Sequence, residues 1–438
     1  MHLPHFFALW ATLSLLCACG DKPAQAETTP ADPAGLAVEQ LTARSARLSW
    51  TAAGDADTYY VFARPEHEAY YVTPAATLPG GSSSFEFTDL TPGASYYFGV
   101  QAVGKGGKTL SKIIYSELTK LMDYEKLPQV ENQTPIHLSW QRVATNGIPS
   151  AIEVYETTSP LNGRPFHAWY AVADCTGEVE FRVQNPSAKA TIDAQAGEEC
   201  YVLINGGIYG TKHIGVIIAD GIRQPWREVD GRYDAYDGKS YNITRAAFGT
   251  DASGHPATHW VSAPTADALY WYDCPLPTVV GEKQLGPAST TFPDTPVAWT
   301  PKQAISTGPM LLFAGKCVVD RTTTAAGHYR TNFEAWALDI FPTHPDRTAV
   351  GYTADGRIVL FICDGRIAAS DGAYVDEVAL ILLDLGCVGA INLDGGGSTT
   401  MYVRDFPYDG IVNCPVDNGR FDHKGERAVS NILMVMPR

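Results

Sequence analysis

Positive charge is what this 438-residue chain has least of: 32 Lys and Arg stand against 48 Asp and Glu, for a formal net charge of −16. That balance argues against nucleic acid or an anionic membrane surface as the main partner. A phosphate-bearing ligand would have to be met by a few placed arginines. Long apolar runs are missing after residues 4–18, so no later stretch is long enough to cross a bilayer. There is no Cys-x-x-Cys pair, and His213, His255 and His259 lack ligand spacing, so no metal is expected. No Lys-Ser/Thr follows the glycine-rich stretch, which excludes a Walker loop. No Ser-His-Asp triad or nucleotide site stands out, and no cofactor is expected. With 45% hydrophobic and 18% charged residues the composition is that of a folded chain, long enough for two or more domains.

The single long apolar run ends Leu16-Cys17-Ala18-Cys19-Gly20. It reads as a secretory leader closing on a bacterial lipobox, with Cys19 as the lipidated first residue of the mature chain. An ordinary cleaved leader is the alternative. Residues 1–19 are therefore taken as the signal peptide and 20–33 as a polar tether. The expected location is the bacterial cell envelope, periplasmic or surface-exposed, with membrane contact only through the lipid. Seven cysteines remain beyond residue 19. An exported compartment permits disulfides, but an odd count leaves at least one thiol free.

From 34 to 121 short runs such as Ala46–Trp50, Tyr59–Phe62, Phe85–Phe87 and Tyr96–Val103 alternate with turn signals, an all-β pattern. The string Leu90 to Ala102, with Trp50 and Tyr96, resembles a fibronectin type III sandwich, with Trp50 in the core and Tyr96 at the corner. From 122 to 438 strands and a helix are interspersed, a large α+β domain with mixed sheets. The run Cys200–Ile204 ends in Asn205-Gly206-Gly207-Ile208-Tyr209, and Val388–Leu393 ends in Asp394-Gly395-Gly396-Gly397-Ser398. Each is a buried strand presenting polar groups beside bare backbone. Residues 375–385 carry apolar side chains at helical spacing and stop at Gly386. Arg347–Thr353 and Arg357–Cys363 form a hairpin across Asp355-Gly356, followed by a turn at Asp364-Gly365-Arg366.

The stretch Asn392-Leu393-Asp394-Gly395-Gly396-Gly397-Ser398-Thr399-Thr400 resembles the signature of the phosphodiester glycosidase family. Asn205–Tyr209, Thr307-Gly308-Pro309, the Arg347 hairpin and the closing run Arg427–Val435 match other segments of that family in order. The resemblance implies hydrolysis of a sugar-1-phosphodiester of the N-acetylglucosamine-phospho-sugar type at the anomeric C–O bond, on a glycan or sugar-phosphate substrate. A non-catalytic glycan-binding surface lipoprotein, or a hydrolase of another phosphorylated polysaccharide linkage, is the alternative.

Such a reaction expels a phosphate, already a weak base, so it needs cations and a carboxylate more than a strong acid. Asp394 is the first carboxylate and Glu377, in the helix, the second. Glu377 could instead simply stabilise the helix N-terminus. Arg347 and Arg427 are the phosphate-binding candidates, with strand-edge or surface salt bridging as their bland alternative. Gly206, Gly207, Gly308, Gly395, Gly396, Gly397 and Ser398 would supply backbone or hydroxyl groups. Asn205, Asn392 and Asn431 would bind sugar hydroxyls or lock the loops, and Tyr209 would stack on a sugar.

Overall fold

The computed structural model describes residues 28–68, 73–91, 93–122, 126–210, 213–224, 232–234, 240–265, 268–276, 288–323, 327, 329–336 and 339–438. Cys19, the leader and the tether up to residue 27 lie outside the described residues. The chain divides into two compact units, Met1–Asp123 and Tyr124–Arg438.

The first unit is a sandwich of a three-stranded sheet and a five-stranded one. The three-stranded sheet runs in the order Ala34–Thr42, Ser45–Thr51, Ser84–Phe87. The other is centred on Thr58–Pro65 paired along its full length with Ser95–Val103. Inward residues alternate along each strand, as a half-buried sheet requires. Trp50 is buried with its ring centroid 5.5 Å from that of Tyr59. The Tyr96 hydroxyl accepts the Thr91 N–H at 3.1 Å, closing the corner that the sequence places there.

Among the described residues the second unit has sheets of eight, six and four strands and one of two strands. The eight-stranded sheet runs in the order Lys316–Cys317, Met310–Phe313, Cys387–Asn392, Arg347–Thr353, Ile358–Cys363, Ala168–Ala173, Ile152–Thr157, Gln141–Arg142. Its central strands are unbroken apolar runs because both faces are covered. Val359, Phe361 and Cys363 face the helix Val375–Asp384, joining a core with Val378, Leu382 and Leu312. Leu360 and Ile362 face the other way, toward Val202, Ile204, Phe248 and Leu433 of the two smaller sheets.

The helix bears out the apolar spacing in the sequence, ending at Leu385 with Gly386 at φ 83°. Helix makes up little of the unit, since the remaining α-helix spans only Ile192–Ala196. The expectation of mixed sheets needs correction: among the described residues every neighbouring strand pair is antiparallel. The one crossover helix joins Ile358–Cys363 to Cys387–Asn392, two parallel strands that are kept apart by Arg347–Thr353.

All seven cysteines beyond residue 19 are buried free thiols, with no disulfide among them. Burial pushes Cys175, Cys200, Cys274 and Cys387 up to about 12. Among the described residues no helix is long and apolar enough to cross a membrane.

Candidate active site

Two strand ends from different sheets meet at one point. Asn205 closes the strand Val202–Asn205 of the four-stranded sheet, and Asn392 closes Cys387–Asn392 of the eight-stranded one. Asn205 is fully buried. Its Nδ2 donates to Asp394 O at 2.8 Å, and its Oδ1 accepts from Thr348 Oγ1 at 2.8 Å and from Thr400 N at 3.3 Å. Asp394 N donates to Gly206 O at 3.0 Å, and Leu393 N to Thr348 O at 2.8 Å. Asn431 receives the Gly207 N–H on Oδ1 at 2.6 Å. Asn392 donates its Nδ2 to Leu393 O at 2.7 Å and to Gly308 O at 3.2 Å, so Gly308 lies behind the loop. The three asparagines therefore lock the loops.

Most of the backbone donors are committed in the same way. The N–H groups of Gly206, Gly207, Gly396 and Ser398 donate to Asn431 O, Asn431 Oδ1, Asp346 O and Gly395 O. These four amides do not form an anion nest.

Within this frame Asp394 is half-buried at the mouth of the turn Gly396–Ser398. Desolvation raises its carboxyl above the usual aspartate range, opposed by Ser398, the Gly395 backbone and the charge of Arg427. Tyr209 is raised as well, chiefly by burial, with Asp394 and Asp417 adding to it. The buried Ser398 Oγ lies within reach of both groups and favours both ionised forms. It makes no hydrogen bond of good geometry. Tyr209 donates its hydroxyl to Ala428 O at 2.9 Å, and Lys189 Nζ stands 4.2 Å from its ring centroid, so that ring carries a cation at its face.

Arg427 is exposed and held by both oxygens of Asp417, Nε at 2.6 Å and Nη2 at 2.9 Å. Hydrogen bonding to Asp417 raises the Arg427 pKa, and Asp394 acts in the same direction. Asp417 in turn lies against the loop: a Cβ on Gly397 would sit 1.6 Å from its Oδ1, so a larger residue there would displace the Asp417 carboxylate. Asp394, Ser398, Tyr209, Arg427 and Asp417 thus form one group around the glycine turn. Four polar atoms buried in and beside it, Asp346 Oδ1, Asn392 Oδ1, Ser398 Oγ and Thr400 Oγ1, have no hydrogen-bond partner. Unsatisfied buried groups are rare in folded proteins and call for a reason. Among the described residues no three His, Cys, Asp or Glu are placed to hold a metal ion.

A family model described as Phosphodiester glycosidase matches residues 198–436, over half the chain, and one described as Fibronectin type III domain matches 31–117. The chain belongs to the phosphodiester glycosidase family. It is 40% identical over 77 residues to the human N-acetylglucosamine-1-phosphodiester alpha-N-acetylglucosaminidase, covering 16% of this chain and 15% of that protein. It is 37% identical over 87 residues to the SPbeta prophage-derived uncharacterized protein YomE of Bacillus subtilis (strain 168), covering 19% and 13%. The chain thus matches well under a quarter of the length of these relatives. Among solved structures, the zebrafish N-acetylglucosamine-1-phosphodiester alpha-N-acetylglucosaminidase catalytic domain, auto-inhibited by its pro-peptide, aligns with TM-score 0.44 at 20% identity, over 71% of this chain and 97% of that one.

Two expected residues of the phosphodiester glycosidase unit fall outside the group. Arg347 is 4% exposed and points into the fold, donating Nε to Ala373 O at 3.0 Å and Nη2 to Ile340 O at 2.8 Å and Thr343 O at 2.7 Å. It pins two loops to the sheet and offers little to a phosphate. Glu377 is likewise 4% exposed. Arg164 Nη2 reaches its two oxygens at 2.6 and 2.5 Å, Asn162 Nδ2 donates at 2.8 Å, and the Tyr374 N–H at 3.0 Å. It anchors the helix start, with its oxygens committed to Arg164, Asn162 and the Tyr374 amide.

Asp417 and Arg366 are the residues that the sequence reading passed over. Asp417 carries no motif of its own. Arg366 stands in the Asp364-Gly365-Arg366 turn, whose glycine was the available signal. Beneath that turn Asp364 is fully buried, accepting from Asn413 Nδ2 at 3.1 Å and Cys414 N at 3.1 Å, while Asn413 Nδ2 also donates to Thr399 O at 2.9 Å.

Two outcomes follow from these assignments. Glu377→Gln should lower stability by about 1–3 kcal/mol in denaturant melts, because it removes a buried charge from Arg164; per folded molecule, turnover should hold. Burial raises the Asp364 pKa from 3.8 to about 7. The folded state therefore binds the extra proton between those values, and this contribution to stability is complete below about pH 4 and lost as pH rises through about 7. Urea titrations of Asp364→Asn across that window should show a shallower fall in stability than the unmodified chain.

Proposed function

We propose that the C-terminal unit hydrolyses sugar-1-phosphodiesters of the N-acetylglucosamine-phospho-sugar type at the sugar–phosphate C–O bond. The observation that carries this reading is that Asp394, a desolvated carboxyl acted on by the charge of Arg427, opens the glycine turn to which the exposed Arg427 is tied by its N–H to Gly397 O. In the reaction a water oxygen bonds to the anomeric carbon, the bond from that carbon to the phosphate oxygen breaks, and its electron pair leaves with the phosphomonoester. Asp394 takes the proton from water and opposes the positive charge that develops on the sugar ring. Arg427 meets the charge on the departing phosphate. Tyr209 presents a ring face to the sugar. A proton acceptor works best with a pKa nearer the operating pH, which is the direction in which burial moves Asp394.

Asp394→Asn should lower kcat on N-acetylglucosamine-phospho-mannose by about 100-fold or more while leaving the melting temperature in place. Turnover in heavy-oxygen water should put the label on N-acetylglucosamine. Label on the phosphate would mean P–O cleavage and defeat the reading. No turnover by the unmodified chain, with retained glycan binding, would favour the non-catalytic alternative.

The run over residues 4–18 and the Leu16-Cys17-Ala18-Cys19 ending support an exported, lipid-anchored setting at a bacterial envelope. Mass spectrometry of the mature N-terminus should find a diacylglyceryl group on Cys19; an unmodified terminus elsewhere refutes the anchor.

A further inference from the structure

A second charged neighbour lies along the glycine turn. Arg366 follows the strand Ile358–Cys363, with φ 60°. A non-glycine residue in that left-handed region is costly and persists where its surroundings enforce it, commonly at functional sites. Its Nε donates to Asp346 Oδ2 at 2.7 Å. Asp346 is fully buried, its backbone oxygen accepts the Gly396 N–H at 3.0 Å, and its Oδ1 has no hydrogen-bond partner.

The pair is therefore lopsided, with the carboxylate sealed inside and the guanidinium side chain 46% exposed. Arg366 Nη2 lies 3.5 Å from the place a Cβ on Gly396 would occupy, so the guanidinium runs over bare backbone. A surface ion pair adds little to stability, and burying one partner costs more. What the arrangement does achieve is direction. Asp346 holds the fork through Nε, with Nη2 beside Gly396. The amides of Gly396 and Ser398 are already spent on Asp346 O and Gly395 O, so side-chain donors add to what the backbone of the turn can offer an anion.

We propose that Arg366 binds the substrate phosphate, its Nη groups meeting non-bridging oxygens over Gly396 while Arg427 approaches from the Gly397 side. Asp346 is then a positioning residue, holding the fork in aim. This assignment rests on the phosphodiester reading above and adds a second arginine to it. The ligand class is a phosphate diester or the monoester released from it.

The test uses the full chain, its Arg366→Gln and Arg366→Lys variants, and two readouts. Against N-acetylglucosamine-phospho-mannose, Arg366→Gln should lose about 100-fold in kcat/KM, with Arg366→Lys recovering part of it. Hydrolysis of nitrophenyl N-acetylglucosaminide, which lacks phosphate, should be unchanged. Calorimetric binding of mannose 6-phosphate should weaken in step with the diester loss, and thermal melts establish that the variants fold. Equal losses on both substrates, or unchanged affinity for mannose 6-phosphate, overturn the role of Arg366. If the unmodified chain turns over neither substrate, the hydrolase reading falls. The binding comparison still decides Arg366: a folded Arg366→Gln variant that binds mannose 6-phosphate as the unmodified chain does, or an unmodified chain that does not bind it, sinks the assignment.

Discussion

One buried amide holds the site together. The side chain of Asn205 joins the end of its own strand to Asp394, to Thr348 of the neighbouring sheet and to Thr400 beyond the glycines. A buried amide that fails to find partners costs free energy comparable to a lost hydrogen bond, so the contacts form together or not at all. The position of Asp394 is thereby tied to the register of two sheets and not left to the flexibility of a loop. Hydrophobic burial on both faces of the eight-stranded sheet supplies the stiffness behind that junction.

Electrostatics then divides the work. In a chain with a net charge of −16 two guanidinium groups near the glycine turn are each carried by an acid: Arg427 by Asp417 and Arg366 by Asp346. Such pairs do little for the fold. They hold planar donors in one orientation, the property that recognising a tetrahedral anion demands. The inward pairs behave differently. Arg164 with Glu377 closes a helix end, and Arg347 spends its donors on backbone carbonyls.

Much of this was legible in the chain. Asn205 to Tyr209 and Asn392 to Ser398 carry their chemistry in contiguous runs after apolar strands, and contiguous runs are what a reader of sequence can see. The helix at Val375–Asp384 and the hairpin at Asp355-Gly356 follow from spacing and turn chemistry. Side-chain direction was not legible. Arg347 and Arg427 look alike in sequence, yet one faces Ile340 and Ala373 and the other faces Asp417. Nothing local tells them apart, because the deciding partners are supplied by distant loops. Asp417 and Asp346 were missed for the same reason, since an acid acquires meaning only from the guanidinium folded against it. The antiparallel pairing of the sheets was equally hidden, because Arg347–Thr353 inserts between two strands that a helix connects.

The scattered thiols bear on where such a unit is able to mature. With every described cysteine sealed singly in the interior, no covalent staple awaits an oxidant and none stands ready for a reductant to cut. The cohesion of this unit is non-covalent, apolar contact together with hydrogen bonds and ion pairs such as Arg164 with Glu377.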